Sequence, residues 1–290
     1  MQDRKIQIAW YGKHYGEEPP LVGSVDKTSR TGRNNFAGGA GTIFFSHCNL
    51  RCVYCQNFQI SQQRVGKMYN IEALVEIMLE LQSAEAVCID LVTPTPWWRP
   101  VKEAIRMARN KGLILPVVWN SNAYETLSIL QQMQGLVDIY LPDFKYADDR
   151  LAVKYSHASH YVKTAESAIK EMYRQVGKLK INKGVAVRGI IVRHLILPGH
   201  IENTFAVLEK IAAIDGEIHI SLMSQFQPVY YASEFPEINR AVSDEERRAV
   251  EIKMMELGLK NGWIQAQDTD GTFLPDFTQS NPFQTERKME

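Results

Sequence analysis

The chain has 290 residues, of which 45% are hydrophobic and 23% are charged, as in folded globular proteins and unlike disordered ones. Its 33 basic and 33 acidic residues balance, which argues against a nucleic-acid binder, because such proteins need a basic excess. No apolar run approaches the roughly 18 residues of a membrane helix, and the start of the chain lacks the apolar core of a signal peptide, so we expect a soluble, cytoplasmic protein without a membrane partner.

Residues 1–40 are predicted to form an irregular amino-terminal arm with one short strand at Ile6–Trp10, because prolines and glycines interrupt the periodicity. Between residues 41 and 265, short apolar runs alternate with segments of helical periodicity. Residues 266–290 are predicted to be an extension that packs on this domain or trails it. The six apolar runs begin near residues 42, 86, 113, 137, 187 and 217.

Alternating apolar runs and amphipathic helices are typical of parallel strands that are buried on both faces. Six such units predict an α/β fold, either a partial (β/α)6 TIM-like barrel or an open doubly wound sheet. Ligands bind at the carboxyl ends of the strands in both folds, so we expect the polar residues that follow the runs to converge on one site. The helical segments are 71–82, 101–110, 123–134, a longer region that ends at 176, 204–214 and 244–259, the last with a predicted capping box of Ser243 and Glu246.

Three of the four cysteines lie within eight residues, with the spacing C-x3-C-x2-C: Cys48, Cys52 and Cys55. Clustered thiols in a chain without a secretion signal favour a metal site over disulfides. Two kinds of site remain open from this spacing. A zinc ion would take His47 as its fourth ligand, whereas an iron–sulfur cube held by three thiolates would keep one iron open for another ligand.

Two further residues lie inside apolar runs. Cys88 is flanked by Val87 and Ile89, and we expect a buried, inert thiol there. His194 lies in the fifth run, where a buried histidine with satisfied hydrogen bonds and a residue of the site are both open.

The segment Gly41–Gln62, which contains the three cysteines, resembles the signature of the radical S-adenosylmethionine (radical SAM) enzymes. It resembles most the uncharacterised branch that is similar to pyruvate formate-lyase-activating enzymes, and the resemblance extends over residues 16–277. Five later stretches carry it: Val137–Tyr146, Ile191–His200, Ser221–Gln225, Asn261–Gln265 and Phe273–Phe277.

The resemblance implies a partial barrel with the radical SAM core over residues 41–265, and a [4Fe-4S] cluster held by Cys48, Cys52 and Cys55. The open iron would bind the amino and carboxylate groups of S-adenosylmethionine (SAM). One electron from the cluster would then cleave SAM to a 5′-deoxyadenosyl radical, which abstracts a hydrogen atom from the substrate.

The resemblance also implies contacts with the nucleoside part of SAM. Tyr54 and Asn57 match positions near the adenine. Asn120, Ser121 and Asn122 match a segment that reaches the ribose and that helps to bind a monovalent cation in the activating enzymes.

Four more positions would surround the rest of the cofactor. Asp143 and Lys145 match an Asp-x-Lys motif beside the methionyl carboxylate and the monovalent cation. Arg193 matches an arginine near the cofactor, and Gln225 falls where the activating enzymes carry a histidine.

One motif departs from the family pattern. Thr93 and Thr95, with the proline between them, occupy the place of a Gly-Gly-Glu-Pro motif that meets the methionyl amino group. The glutamate is missing, and we expect threonine hydroxyls and backbone carbonyls to accept from the ammonium instead.

The implied partners are an electron donor such as flavodoxin or ferredoxin, and a glycyl-radical protein as the substrate. Radical modification of a small molecule or of another peptide is the alternative enzymatic function. A non-catalytic zinc protein on the same cysteines is the alternative from another class. No cysteine precedes Cys48, so a second cluster is not expected.

Overall fold

Strands and helices alternate along most of the chain in the computed structural model, which describes residues 5–23, 38–265 and 274–283. The strands of these residues are β1 (Lys5–His14), β2 (Ala40–Phe45), β3 (Lys67–Asn70), β4 (Ile89–Val92), β5 (Val117–Ser121), β6 (Ile139–Pro142), β7 (Lys180–Asn182), β8 (Val185–Leu195), β9 (His219–Met223) and β10 (Gly262–Gln265). The α-helices are α1 (Pro19–Val22), α2 (Phe58–Ser61), α3 (Ile71–Ser83), α4 (Trp98–Asn110), α5 (Leu127–Met133), α6 (Asp149–Ser156), α7 (Tyr161–Val176), α8 (Ile201–Ile214) and α9 (Asp244–Glu256).

A single sheet connects these strands in the order β10-β9-β8-β6-β5-β4-β2-β1-β3, with β7 paired to β8. Along this order, all neighbours from β2 to β10 are parallel, whereas β7 is antiparallel to β8 and β1 is antiparallel to both β2 and β3. At least one helix separates each parallel strand from the next one along the chain. This is the predicted α/β fold, a partial TIM-like barrel whose strand ends can share one site.

The six predicted runs are β2, β4, β5, β6, β8 and β9, and β10 adds a seventh parallel strand. The single helical region predicted to end at Val176 is two helices, α6 and α7. His157 and His160, between them, have φ values of 53° and 56°. These left-handed conformations break the helix. The predicted capping box of Ser243 and Glu246 begins α9 and is confirmed.

The parallel strands separate two apolar cores, because successive side chains of a strand point to opposite faces. On β4, Ile89 and Leu91 pack among the residues of the helices. The inner core lies at the amino ends of the strands, where Val118, Ile139 and Ile191 pack together. Within this inner layer Cys88 is fully buried and its Sγ donates to the carbonyl oxygen of Leu21 at 3.4 Å. The expectation of a buried thiol is therefore confirmed.

The predicted strand at Ile6–Trp10 is present within β1. The described residues that follow β1 enter the barrel, so they do not form the predicted irregular surface arm. β1 is longer than the predicted Ile6–Trp10 strand and pairs with β2. Residues 17–22 then run inward, and Leu21 belongs to the inner core with 0% of its surface exposed. We call residues 17–22 the plug. Much of the predicted arm, residues 24–37, lies outside the described residues, and the division at 40/41 stays a prediction.

The described part of the carboxy-terminal extension packs against Phe44, near the carboxyl end of β2. Phe277 and Phe283 contact Phe44 with ring centroids 5.3 and 5.5 Å apart. The side chain of Gln59 donates to Asp276 at 3.0 Å and accepts from the amide of Phe277 at 2.7 Å. The boundary at 265/266 stays a prediction. None of the described helices is both long and apolar enough to cross a membrane.

The fully buried His194 has both ring nitrogens within hydrogen-bond distance of a partner, 2.7 Å from the carbonyl oxygen of Phe144 and 2.9 Å from Thr204 Oγ1. Of the two possibilities for this residue, the structure supports the satisfied core histidine. Burial lowers the pKa of His194 to about 4.

Because His194 has its ordinary pKa of 6.5 in the unfolded chain, the unfolded state binds the proton first as the pH falls. Its contribution to stability is present above pH 6.5 and is lost between pH 6.5 and about 4, by as much as about 3 kcal/mol. We expect His194→Gln to flatten this part of the stability profile. Urea unfolding between pH 7 and pH 4 measures it, and parallel profiles for both proteins would contradict the expectation.

Candidate cofactor-binding site

The three clustered cysteines lie in the loop that follows β2, at the carboxyl end of the barrel. His47 begins the loop with a φ of 73° and turns the chain over the end of the sheet. The amides of Arg51 and Val53 donate to the carbonyl oxygens of Ser156 and Tyr155 at 3.1 and 2.8 Å. These bonds anchor the loop to the end of α6.

Each of the three sulfurs lies within hydrogen-bond distance of a donor group. Cys48 Sγ accepts from the amide of Leu50 at 3.4 Å and from Asn122 Nδ2 at 3.3 Å. The Ser156 hydroxyl donates to Cys52 Sγ at 3.0 Å. Ser61 Oγ lies 3.2 Å from Cys55 Sγ. Such donors stabilise thiolates and tune an iron–sulfur centre.

The Cys52 thiol is buried, and the Cys48 and Cys55 thiols are partly buried. Burial and the neighbouring Cys52 raise the pKa of Cys48 to about 11 and that of Cys55 to about 12, and burial also raises the pKa of Cys52. The three sulfurs are therefore close enough to repel one another as thiolates. A positively charged centre between them would offset both this repulsion and the cost of burying the charged thiolates.

The zinc alternative needs His47 as a fourth ligand, and the structure engages this ring elsewhere. His47 Nε2 lies 3.0 Å from Gln7 Oε1, and the ring lies edge-on to Trp97. The donor set fits the larger cluster better than zinc.

Asp143 and Lys145 follow β6 and form a partly buried ion pair, with Lys145 Nζ donating to Asp143 Oδ2 at 2.6 Å. Burial opposes the charge of Lys145, but Asp143 outweighs it and raises the pKa of Lys145 above its ordinary value. The amide of Asp143 donates to the carbonyl oxygen of Ser121, and Tyr161 Oη accepts from the amide of Lys145. The backbone thus holds the charged pair at the strand end.

The three polar residues at the end of β5 face different parts of the site. Asn122 Nδ2 donates to Asn49 Oδ1 at 2.7 Å, besides its bond to Cys48, and so faces the cysteine loop. Asn120 faces inward, where its Oδ1 accepts from Arg193 Nη1 at 3.4 Å. The hydroxyl of Ser121 accepts from the amide of Ala123 at 3.3 Å.

Tyr54 is almost fully buried, and its hydroxyl lies 2.6 Å from that of Tyr146. Tyr146 in turn lies 2.6 Å from Ser156, which donates to Cys52. Tyr54 is therefore linked to a cluster-loop sulfur through two hydroxyls. The pKa of Tyr54 is raised well above its ordinary value by burial, so the hydroxyl stays protonated.

The turn after β4 differs from the expectation for one of its two threonines. Thr93 lines the cavity with a φ of 57°, a conformation that favours glycine. Thr95 Oγ1 instead donates to Glu125 Oε1 at 2.9 Å, away from the cavity. A cofactor contact by Thr95 is not supported, because its hydroxyl already has this buried partner.

Arg193 is held by two carboxylates of the plug, which the sequence does not predict. Its Nε and Nη2 donate to the two oxygens of Glu18, both at 2.7 Å, and Nη2 also donates to Glu17. Burial opposes ionisation of Glu18, but Arg193 outweighs it and lowers the pKa of Glu18. The one available signal is the apolar segment Pro19–Val22 directly after two glutamates.

One cavity of about 250 Å³ brings the site together. The sequence does not predict the lining residues His14, Glu17, Pro275 and Phe283. Of the predicted residues, those that line it are Cys48, Cys52, Tyr54, Cys55, Asn57, Thr93, Asn120, Ser121, Asn122, Asp143, Lys145, Arg193 and Gln225.

Comparison with known proteins decides the family. Residues 42–215 match the family model of the Radical SAM superfamily. The chain belongs to the radical SAM superfamily. The protein MJ0674 of Methanocaldococcus jannaschii, described as uncharacterized, is 30% identical over 267 residues, which cover 86% of this chain and 68% of that protein.

The radical SAM fold is also found in the solved structures that this chain resembles. SuiB of Streptococcus suis, in a crystal structure with bound S-adenosylmethionine, has a TM-score of 0.54 and 10% identity, covering 76% of this chain and 48% of SuiB. HydG of Carboxydothermus hydrogenoformans, a maturase of the FeFe-hydrogenase, has a TM-score of 0.51 and 12% identity, covering 75% of this chain and 50% of HydG. The chain spans about half the length of both.

Membership of the radical SAM superfamily implies a [4Fe-4S] cluster and SAM. The three thiols with their hydrogen-bond donors fit the cluster, and the charged and polar cavity beside them fits a cofactor with ammonium, carboxylate and ribose groups. The individual role of each lining residue stays a prediction.

Proposed function

We propose that this chain holds a [4Fe-4S] cluster through Cys48, Cys52 and Cys55 and cleaves SAM reductively beside it. The observation that carries this proposal is that the three thiols and the Asp143–Lys145 pair line one cavity at the carboxyl ends of the strands. When bound, the reduced cluster supplies the electron that splits SAM into methionine and a 5′-deoxyadenosyl radical, which takes a hydrogen atom from the substrate.

The residues of the chain would position the cofactor and exclude water from its surroundings. The ammonium group of Lys145 can bind the methionyl carboxylate, and Asp143 orients that lysine. Asn120, Ser121 and Asn122 offer amide and hydroxyl groups for the ribose. We also infer that the Asp143 carboxylate can take part in binding a monovalent cation.

Apolar side chains complete the cavity wall: Phe44, Phe45, Leu50, Ile60, Val92 and Phe283. Such a wall helps to exclude water from the cavity.

We further propose that the substrate is a glycyl-radical protein and that flavodoxin or ferredoxin supplies the electron in the cytoplasm. The support is the resemblance of the motifs around Cys48–Cys55 and Val137–Tyr146 to those of pyruvate formate-lyase-activating enzymes. Incubation of the reduced protein and SAM with pyruvate formate-lyase tests it. A glycyl-radical signal in electron paramagnetic resonance is expected. Its absence while SAM is cleaved would favour a small molecule or another peptide.

Lys145→Gln is expected to weaken SAM binding at least tenfold, worth about 1.4 kcal/mol, because the methionyl carboxylate loses its cation. Cluster content should not change, since Lys145 contacts no sulfur within hydrogen-bond distance among the described residues. Calorimetric titration of the reconstituted protein measures the affinity. Lys163→Gln, on the exposed face of α7, is the control. Equal affinities for wild type and Lys145→Gln would remove Lys145 from the site.

Anaerobic reconstitution followed by visible absorption and SAM titration tests the proposed cofactors. A broad iron–sulfur band and saturable SAM binding are expected. A colourless protein that takes up zinc and binds no SAM would establish the non-catalytic alternative instead.

A further inference from the structure

Three buried hydroxyl groups form a chain that ends on the sulfur of Cys52. The hydroxyl of Tyr54 lies 2.6 Å from that of Tyr146, and Tyr146 Oη lies 2.6 Å from Ser156 Oγ. Ser156 Oγ then donates to Cys52 Sγ at 3.0 Å. Tyr54 is 5% exposed, and Tyr146 and Ser156 are fully buried. We call Tyr54, Tyr146 and Ser156 the hydroxyl chain.

The hydroxyl chain joins three separate parts of the molecule. Tyr54 belongs to the cysteine loop, Tyr146 lies after β6, and Ser156 is the last residue of α6. The left-handed conformation of His157 ends α6 directly after Ser156. The amide of Arg51 donates to the carbonyl oxygen of Ser156 at 3.1 Å and so holds the cysteine loop against this helix end. The backbone as well as the side chains therefore places the Ser156 hydroxyl on the sulfur.

The direction of these hydrogen bonds is fixed once Cys52 binds the cluster. A cluster-bound sulfur is a thiolate without a hydrogen, so it can only accept. Ser156 must then give its single hydrogen to Cys52 and accept from Tyr146. Tyr146 in turn accepts from Tyr54. All three hydroxyl dipoles point toward the sulfur, and hydrogen bonds in such a chain strengthen one another.

The tyrosine hydrogens stay on their oxygens. Burial raises the pKa of Tyr54 and that of Tyr146 well above their ordinary values. The hydroxyl chain therefore presents oriented dipoles to Cys52 and does not pass a proton to it.

The hydrogen bond at Cys52 differs from those at the other two cysteines of the loop. The bond from Ser156 to Cys52 is buried. The corresponding side-chain contacts of Cys48 and Cys55 are only partly buried. Water can replace a lost donor where a contact is partly buried, but not readily where the contact is closed off. At Cys52 the donor must come from the protein itself.

We propose that the hydroxyl chain raises the reduction potential of the cluster through its hydrogen bond to Cys52. This inference rests on the proposed function. Reduction adds one electron, supplied by the electron donor, to the cluster and its thiolates. Hydrogen bonds donated to a sulfur stabilise this additional negative charge. The hydroxyl chain thus makes the cluster easier to reduce, and no covalent bond in it forms or breaks.

A redox titration monitored by electron paramagnetic resonance tests this effect. Reconstituted wild type, Ser156→Ala and Tyr146→Phe are titrated with dithionite in the absence of SAM, so that no electron is used for cleavage. We expect Ser156→Ala to shift the reduction equilibrium about tenfold toward the oxidised cluster, which is about 59 mV for one electron. Tyr146→Phe should shift it less in the same direction, because Ser156 keeps its hydrogen but loses the donor that polarises it.

Tyr140→Phe is the matched control. Tyr140 is a fully buried tyrosine of β6, and its hydroxyl donates to Gln175 of α7 at 2.7 Å. The control therefore loses a tyrosine hydroxyl that is not part of the hydroxyl chain, and its potential should equal that of wild type. Iron content and thermal unfolding establish that each variant is folded and loaded. If Ser156→Ala does not load, Tyr146→Phe, which keeps the donor on Cys52, carries the test.

Unchanged potentials in the loaded variants, or a shift toward the reduced cluster, would show that the hydroxyl chain only supports the fold. Either result would overturn the inference while the proposed function stands. An equal shift in Tyr140→Phe would also overturn it, because the effect would then not depend on the path to Cys52. A wild type that takes up no cluster would instead overturn the proposed function, and this inference with it.

Discussion

Replacing Cys48, Cys52 and Cys55 together with alanine is expected to abolish cluster binding. The reconstituted wild type should hold about four irons per chain, as one cubane cluster requires, and the triple variant none. The reason is that these three thiols line the same cavity, and that neighbouring side chains donate hydrogen bonds that stabilise the thiolates of Cys48 and Cys52. Iron analysis and visible absorption after anaerobic reconstitution measure the effect.

Cys88→Ala is the matched control, because the Cys88 thiol lies in the inner core and donates to the carbonyl oxygen of Leu21. It should keep its iron and lose only the packing of one small side chain. Iron loss from a folded Cys88→Ala, or a full cluster in the triple variant, would contradict the assignment of the ligands.

Arg193→Met is expected to destabilise the fold by about 3–5 kcal/mol, the usual cost of removing one partner of a buried ion pair. The variant leaves the fully buried Glu18, and Glu17 beside it, without their cation. Urea unfolding of the protein measures the change.

The double variant Arg193→Met with Glu18→Gln should recover at least half of the lost free energy, since no uncompensated carboxylate remains at position 18. A loss below about 1 kcal/mol for Arg193→Met would show that Glu18 finds another partner or takes up a proton.

The fold is predicted from the sequence wherever a strand is apolar on both faces. The six predicted runs become strands because burial on both sides of a parallel sheet requires nearly continuous apolar residues. β3 and β7 are mostly exposed and polar, so no such run marks them. β10 has four residues and is found through its pairing with β9. The plug is not predicted, because its glutamates and prolines are typical of a surface turn.

Only part of the candidate site is predicted from the sequence. The cysteines and Asp143 with Lys145 are predicted because a short motif carries each of them. Glu18 and Arg193, which are in contact, lie 175 residues apart in the sequence, so no local sequence pattern predicts this contact. Thr95 follows the turn by only two residues, but the short 3-10 helix Thr95–Trp97 directs its hydroxyl to Glu125 instead.

Formation of 5′-deoxyadenosine tests the central claim most directly. Dithionite-reduced, reconstituted protein with SAM should release 5′-deoxyadenosine and methionine slowly even without substrate, as detected by chromatography. The product should require the reductant and disappear in Cys52→Ala. A protein that holds its full cluster and binds SAM, but yields no 5′-deoxyadenosine with any reductant, would contradict the account.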